Sequence, residues 1–169
     1  SSYHVAKAVS RSCPELRITL MFKIAPEGID QQRDSLQTFL TTLGADKKPH
    51  KYGTLLRHLL CTYDILKRLD QEDDVCVAGA CHSVMGTGHY HDACLKPSEQ
   101  QTLIDAIGEP AFELVKLFCQ TLRPKELESA LSKGTTSVRM ITGETRDLSP
   151  SIFHNLLALE CANLWDQNS

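Results

Sequence analysis

Residues 75–84 (VCVAGACHSV) are apolar on every side and built almost wholly from small residues. A helix of that composition has no face to offer water, and its slender side chains let other helices come close, so it belongs in the middle of a bundle. Asp73 and Asp74 stand where a helix N-terminus favours acidic groups, and Gly86 and Gly88 follow where glycine can end it. The rest of the chain must supply the surrounding layer.

It does so with helical periodicity. Over residues 30–43 the spacing of Leu36, Phe39, Leu40 and Leu43 gives a first helix stopped at Gly44. From Pro49 onward Leu55, His58, Leu59, Thr62, Leu66 and Leu69 share one face, and Arg57, Cys61, Asp64 and Arg68 the other. Residues 86–97 have no period and read as a loop. Ser98-x-x-Gln101 is a capping-box start to a short helix ended by Gly108. Residues 110–122 and 124–131 give two more helices. The pattern then turns β-branched around Thr142-Gly143, predicting a small hairpin over 135–147. Ser149-Pro150 caps and opens a last helix through Trp165. Residues 15–23 (ELRITLMFK) suit a strand or a helix equally, so the N-terminal segment 1–29 is left unassigned. The expectation is an all-α bundle with a hairpin before its last helix, forming a single domain over residues 30–169.

Composition excludes several classes. At 169 residues and 41% apolar content the chain can bury one core. Its longest apolar runs fall far short of the roughly 20 residues a membrane-spanning helix needs, so no membrane association is expected. A net charge of −3, with no basic stripe, argues against nucleic acid as a partner. Seven cysteines without a Cys-x-x-Cys pair read as reduced core thiols, which points to the cytoplasm or another reducing compartment.

Three polar residues sit where apolar ones belong. His58 lies on the inner face of its helix, where both ring nitrogens need partners. A backbone carbonyl would serve as well as a metal. His82 falls in the last turn of the central helix, where it can cap carbonyls or meet a cation. Glu160 interrupts the stripe formed by Phe153, Leu156, Leu157, Cys161 and Leu164, and a buried carboxylate requires an arginine, a histidine or a metal. Arg139 is the plainest candidate for that partner. Two imidazoles and a carboxylate on three separate helices also form the usual donor set of a divalent transition metal.

The segments HLLCTYDIL (58–66), AGACHS (78–83) and IGEPAFELV (107–115) resemble, in order and spacing, the HD domain of guanosine-tetraphosphate hydrolases over roughly residues 49–118. The resemblance implies an HD-like helical fold around a divalent metal (Fe, Mn or Zn), with His58 and His82 in the places of that family's histidines and Glu160 in that of its late aspartate. The chain is also similar to an uncharacterised HD-like family with a His-Ser-x-x-Gly-Thr turn, here His82, Ser83, Gly86 and Thr87, preceded by His50. It departs from the hydrolases at Ser83, which replaces the metal-binding aspartate, and in lacking the acidic pair after it. Tetraphosphate hydrolysis itself is therefore not expected. His89, His91 and Asp92 lie in a polar loop from which they could reach over the site, and His50 is expected to face substrate or support a ligand.

Three functions follow. The first is metal-dependent hydrolysis of a phosphorylated or nucleotide-like small molecule, with His82 and Glu160 catalytic. The second is an iron-dependent oxygenase, mononuclear or di-iron, since two histidines and a carboxylate leave positions open for oxygen. The third is a catalytically inactive module that binds a small ligand or a partner. A homodimer is compatible with each, and Trp165 suits core or interface alike.

Overall fold

The computed structural model describes residues 30–86 and 93–168. The undecided stretch 15–23 lies outside them, as do Thr87, His89, His91 and Asp92.

The central helix is α3 (Asp73–Cys81), and each of its residues from Val75 to Cys81 is buried. Around it stand α2 (Leu55–Arg68), α5 (Glu109–Gln120) and α7 (Pro150–Gln167), all in contact with α3, with α2 also packed along α7. Helix α1 (Gln31–Thr42) lies outside α2, and α4 (Gln100–Ile107) and α6 (Lys125–Lys133) complete the layer. The architecture is thus mostly helical, as the periodicity requires, with two small antiparallel strand pairs. One is the expected hairpin, β3 (Ser137–Arg139) with β4 (Thr145–Asp147), turning at Gly143 with φ 86°. No helix among the described residues is long and apolar enough to cross a membrane.

Side-chain hydrogen bonds fix the helix ends. Asp30 caps α1 by accepting from the Arg33 amide at 3.1 Å, and its other oxygen accepts from the Tyr63 hydroxyl on α2 at 2.8 Å. Arg33 then grips Asp64 with both arms, at 2.7 and 2.9 Å, so α1 is tied to α2 by charge-assisted bonds. Ser149 caps α7 by accepting from the Ile152 amide.

Two boundaries differ from the periodicity. The second helix starts at Leu55, not Pro49, because Gly53, at φ 136°, reverses the chain. Residues before it form the ribbon β1 (Pro49–His50) with β2 (Gly53–Thr54). His50 therefore lies on a folded-back strand rather than on the helix that carries His58. At the fourth helix, Pro97–Glu99 form a 3₁₀ turn closed by the Lys96 amide donating to Glu99 Oε2 at 2.8 Å. Glu99, not Gln101, is the acidic closing group, and α4 begins at Gln100.

The close approach anticipated for the small-residue helix is realised at Gly79. A Cβ there would stand 2.3 Å from Leu66 Cδ1 on α2 and 3.6 Å from Leu159 Cδ1 on α7. Leu66 is fully buried, so shifting its methyl aside must displace other core side chains. Gly79→Ala gains roughly 1 kcal/mol of helix propensity, but the overpacking costs about 1–3 kcal/mol. The expected outcome is net destabilisation, read as a lower midpoint in urea denaturation.

Candidate functional site

The structure brings His58 and His82 together. His58 projects from the inner face of α2 and His82 from the C-cap of α3, and each is 1% exposed. Their Nε2 atoms face each other at 3.2 Å, with the rings nearly perpendicular. Each ring is held from behind. His58 Nδ1 meets Asp166 Oδ2 of α7 at 2.8 Å, and His82 Nδ1 meets the Gly79 carbonyl at 2.7 Å. The His50 ring stacks on His58 with centroids 4.1 Å apart, and the His82 and Phe118 rings meet in a T-shaped contact.

The partners dictate where the protons are. A carbonyl and an ionised carboxylate only accept, so both Nδ1 atoms carry hydrogen and donate. In neutral rings both Nε2 atoms are then bare, and two lone pairs point at each other inside the core. Such an arrangement calls for a positive centre between them, either a shared proton or a metal ion. If a divalent ion is bound here, the two Nε2 atoms would be the ring nitrogens that hold it. A histidine ligand whose other nitrogen donates to a carboxylate or carbonyl is also the common support of protein metal sites.

Burial opposes a proton. It lowers the pKa of His82 well below 6.5, with the neighbouring His58 adding to the effect. His58 is lowered too, since its loss of solvation outweighs the opposing pull of Asp166. His50, half-buried against His58, is lowered to about 4.

Glu160 is placed elsewhere than expected. Its Oε2 accepts from Arg123 Nη1 at 2.6 Å, and the guanidinium lies 3.5 Å above the Phe118 ring and donates from Nε to the Phe118 carbonyl. The carboxylate thus has the arginine that its burial demanded, but the arginine is Arg123. Arg139 is exposed and 3.9 Å from Glu126. Among the described residues no His, Cys, Asp or Glu joins His58 and His82 in a metal-holding group of three or more. Ser83 is buried beside His82 in the chain.

Three site residues were not singled out by sequence: Arg123, Asn163 and Asp166. Glu160, Asn163 and Asp166 follow one another at intervals of three along α7, and all are buried. Asn163 Nδ2 donates to Glu160 Oε2 at 3.4 Å, and its Oδ1 accepts from Gln167 Nε2 at 3.0 Å. The spacing was available as a signal, because residues three apart share a helix face.

These features define a helical domain with a buried pair of imidazoles, each oriented by its own acceptor. Residues 39–123 match the model of a family described as Domain of unknown function (DUF6817), and the chain belongs to that family. The matched span holds His50, His58, His82 and Arg123 but ends before α7. No curated protein and no solved structure matches the chain.

Two outcomes are expected. Arg123→Met strands the Glu160 carboxylate and costs about 3–5 kcal/mol in urea denaturation, whereas adding Glu160→Gln restores most of that loss. Stability of metal-free protein falls with pH. The folded pKa values of His50, His58 and His82 lie below the unfolded value near 6.5, so between about 6.5 and 4 the unfolded chain binds protons the folded one refuses. Midpoints measured across that range should drop steadily on acidification, and a flat profile would contradict the assignment of neutral rings.

Proposed function

We propose that this protein is an HD-like, divalent-metal-binding domain that hydrolyses a phosphorylated or nucleotide-like small molecule, with His58 and His82 holding the ion. The reading is carried by the two facing Nε2 atoms at 3.2 Å, whose Nδ1–H groups are both committed to acceptors. A bound ion lowers the pKa of its water and polarises a phosphoryl oxygen.

The chain's own residues hold and tune the pair. Asp166 fixes the tautomer of His58 and the Gly79 carbonyl fixes that of His82, so both rings present lone pairs without reorganisation. His50 covers the outer face of His58. Arg57, half-exposed with Nη1 3.5 Å from Asp166 Oδ1, places positive charge at the same edge, where an anionic substrate would be favoured.

A second reading, a catalytically inactive module that binds a ligand or partner, is favoured by one observation. Glu160, the carboxylate expected to complete the donor set, is held by Arg123. The same pairing takes away the carboxylate that motivated an iron oxygenase.

Elemental analysis of protein purified without added metal or chelator separates these. The expected result is stoichiometric Fe, Mn or Zn in the wild type, lost in His58→Ala and in His82→Ala but retained in the Arg123→Met/Glu160→Gln double variant. Asp166→Asn should weaken metal binding about 10–100-fold. Turnover of phosphomonoesters or nucleotides by the loaded wild type supports the hydrolase. Stoichiometric metal without turnover leaves a binding module, and a wild type that stays empty after incubation with each ion overturns the metal reading.

A further inference from the structure

The start of α3, α5 and the junction of β4 with α7 enclose a groove of about 500 Å³. Neither histidine of the buried pair lines it. That volume falls in the usual range for small-molecule sites, which are apolar hollows with a few polar groups at defined places. Its floor is aliphatic: Val75, Leu114 and Leu148 line it and are at most 9% exposed, and Ile152, 44% exposed, forms its lip.

The rim is acidic. Glu72, Asp74, Glu113 and Asp147 line the same groove against a single guanidinium, Arg146, which is 3.8 Å from Glu144. Glu113 is paired with exposed Lys116, and Asp147 accepts from the Ser137 hydroxyl. No side-chain partner engages Glu72 or Asp74 among the described residues. The N-termini of α3 and α7 also point here, each bringing a fractional positive charge of about one half. With Glu113 set against Lys116 and Arg146 against Glu144, the three remaining carboxylates, Glu72, Asp74 and Asp147, outweigh those two fractions and leave the rim net negative.

We propose that this groove binds a small organic cation, an amine carried on an aliphatic or aromatic body. The body lies on Val75, Leu114 and Leu148, where it removes apolar surface from water. The ammonium sits toward Glu72 and Asp74, which have no competing side-chain cation. An anionic ligand of the same shape is rejected by the rim, and a neutral one gains only the floor. The inference is independent of the histidine pair and of any metal held there.

The test uses three probes with one alkyl chain and different heads: octylammonium, octanol and octanoate. Each is titrated into the full-length protein and followed by amide chemical shifts. Octylammonium should saturate, shift the amides of Asp74, Leu114, Leu148 and Ile152, and bind about threefold to tenfold tighter than octanol, as expected for partly exposed ion pairs. Octanoate should bind most weakly. In the Glu72→Gln/Asp74→Asn variant, whose changes are on exposed side chains, the preference for octylammonium should vanish while octanol binding persists. Equal affinity for the three heads, tightest binding of octanoate, shifts that map away from the groove, no saturable binding, or a preference that survives the double substitution would each overturn the proposal.

Discussion

Two imidazoles with their lone pairs turned toward each other, in a core that excludes water, are the constraint around which this molecule is arranged. Each ring alone is ordinary, since a buried histidine that donates to a carbonyl or carboxylate is satisfied at that nitrogen. The tension arises because both rings donate from Nδ1, leaving two acceptors 3.2 Å apart. Burial disfavours the proton that would relieve it. The small residues of α3 serve the same end. The gap at Gly79 lets α2 come close enough for His58 to meet His82, and the carbonyl of that glycine orients the second ring.

The last helix manages the charge around this centre. Its buried side carries Glu160, Asn163 and Asp166, a row of polar groups that would be prohibitive without partners. Asp166 is answered by His58 and, at its other oxygen, by Arg57 at the edge. Glu160 is answered by Arg123 and, more weakly, by the Asn163 amide. Phe118 joins the two halves, because its ring takes the Arg123 guanidinium on its face and stands edge-to-ring with His82. A positive charge is thereby kept near the imidazoles yet committed to a carboxylate.

Much of the fold could be read from periodicity, and the reasons for success and failure are physical. The apolar, small-residue composition of residues 75–84 leaves a helix no position except the centre, and α3 is there. Ser149-Pro150 and Thr142-Gly143 carry turn and cap chemistry that depends only on local residues, and both features formed where expected. Pro49 was misleading because what ends the ribbon and starts the helix is Gly53, whose positive φ is invisible to apolar spacing. The candidate site was partly legible. His58 and His82 stood out because burial on a helix face is local information. The acceptor behind His82 is local, the Gly79 carbonyl three residues back, but the acceptor behind His58 is tertiary information: it comes from Asp166, 108 residues along the chain. Glu160 was correctly judged to need a partner, but the choice between Arg139 and Arg123 depended on how α5 and α6 join, which no spacing encodes.

The division between the matched family span and the last helix follows the chemistry. Residues 39–123 hold both imidazoles, the stacked His50, the Gly79 carbonyl and Arg123. Everything that fixes the ionisation around them from the other side, Asp166 above all, comes from α7. Without α7 the His58 ring would keep its place on α2 but lose the carboxylate that holds its proton on Nδ1, and either nitrogen could then carry it. The opposed lone pairs would no longer be enforced, because His58 could donate from Nε2 to His82 and relieve the tension with one internal hydrogen bond. The opposition of the two lone pairs is therefore a property of α2, α3 and α7 together, and the aspartate that enforces it lies outside the span by which the family is recognised.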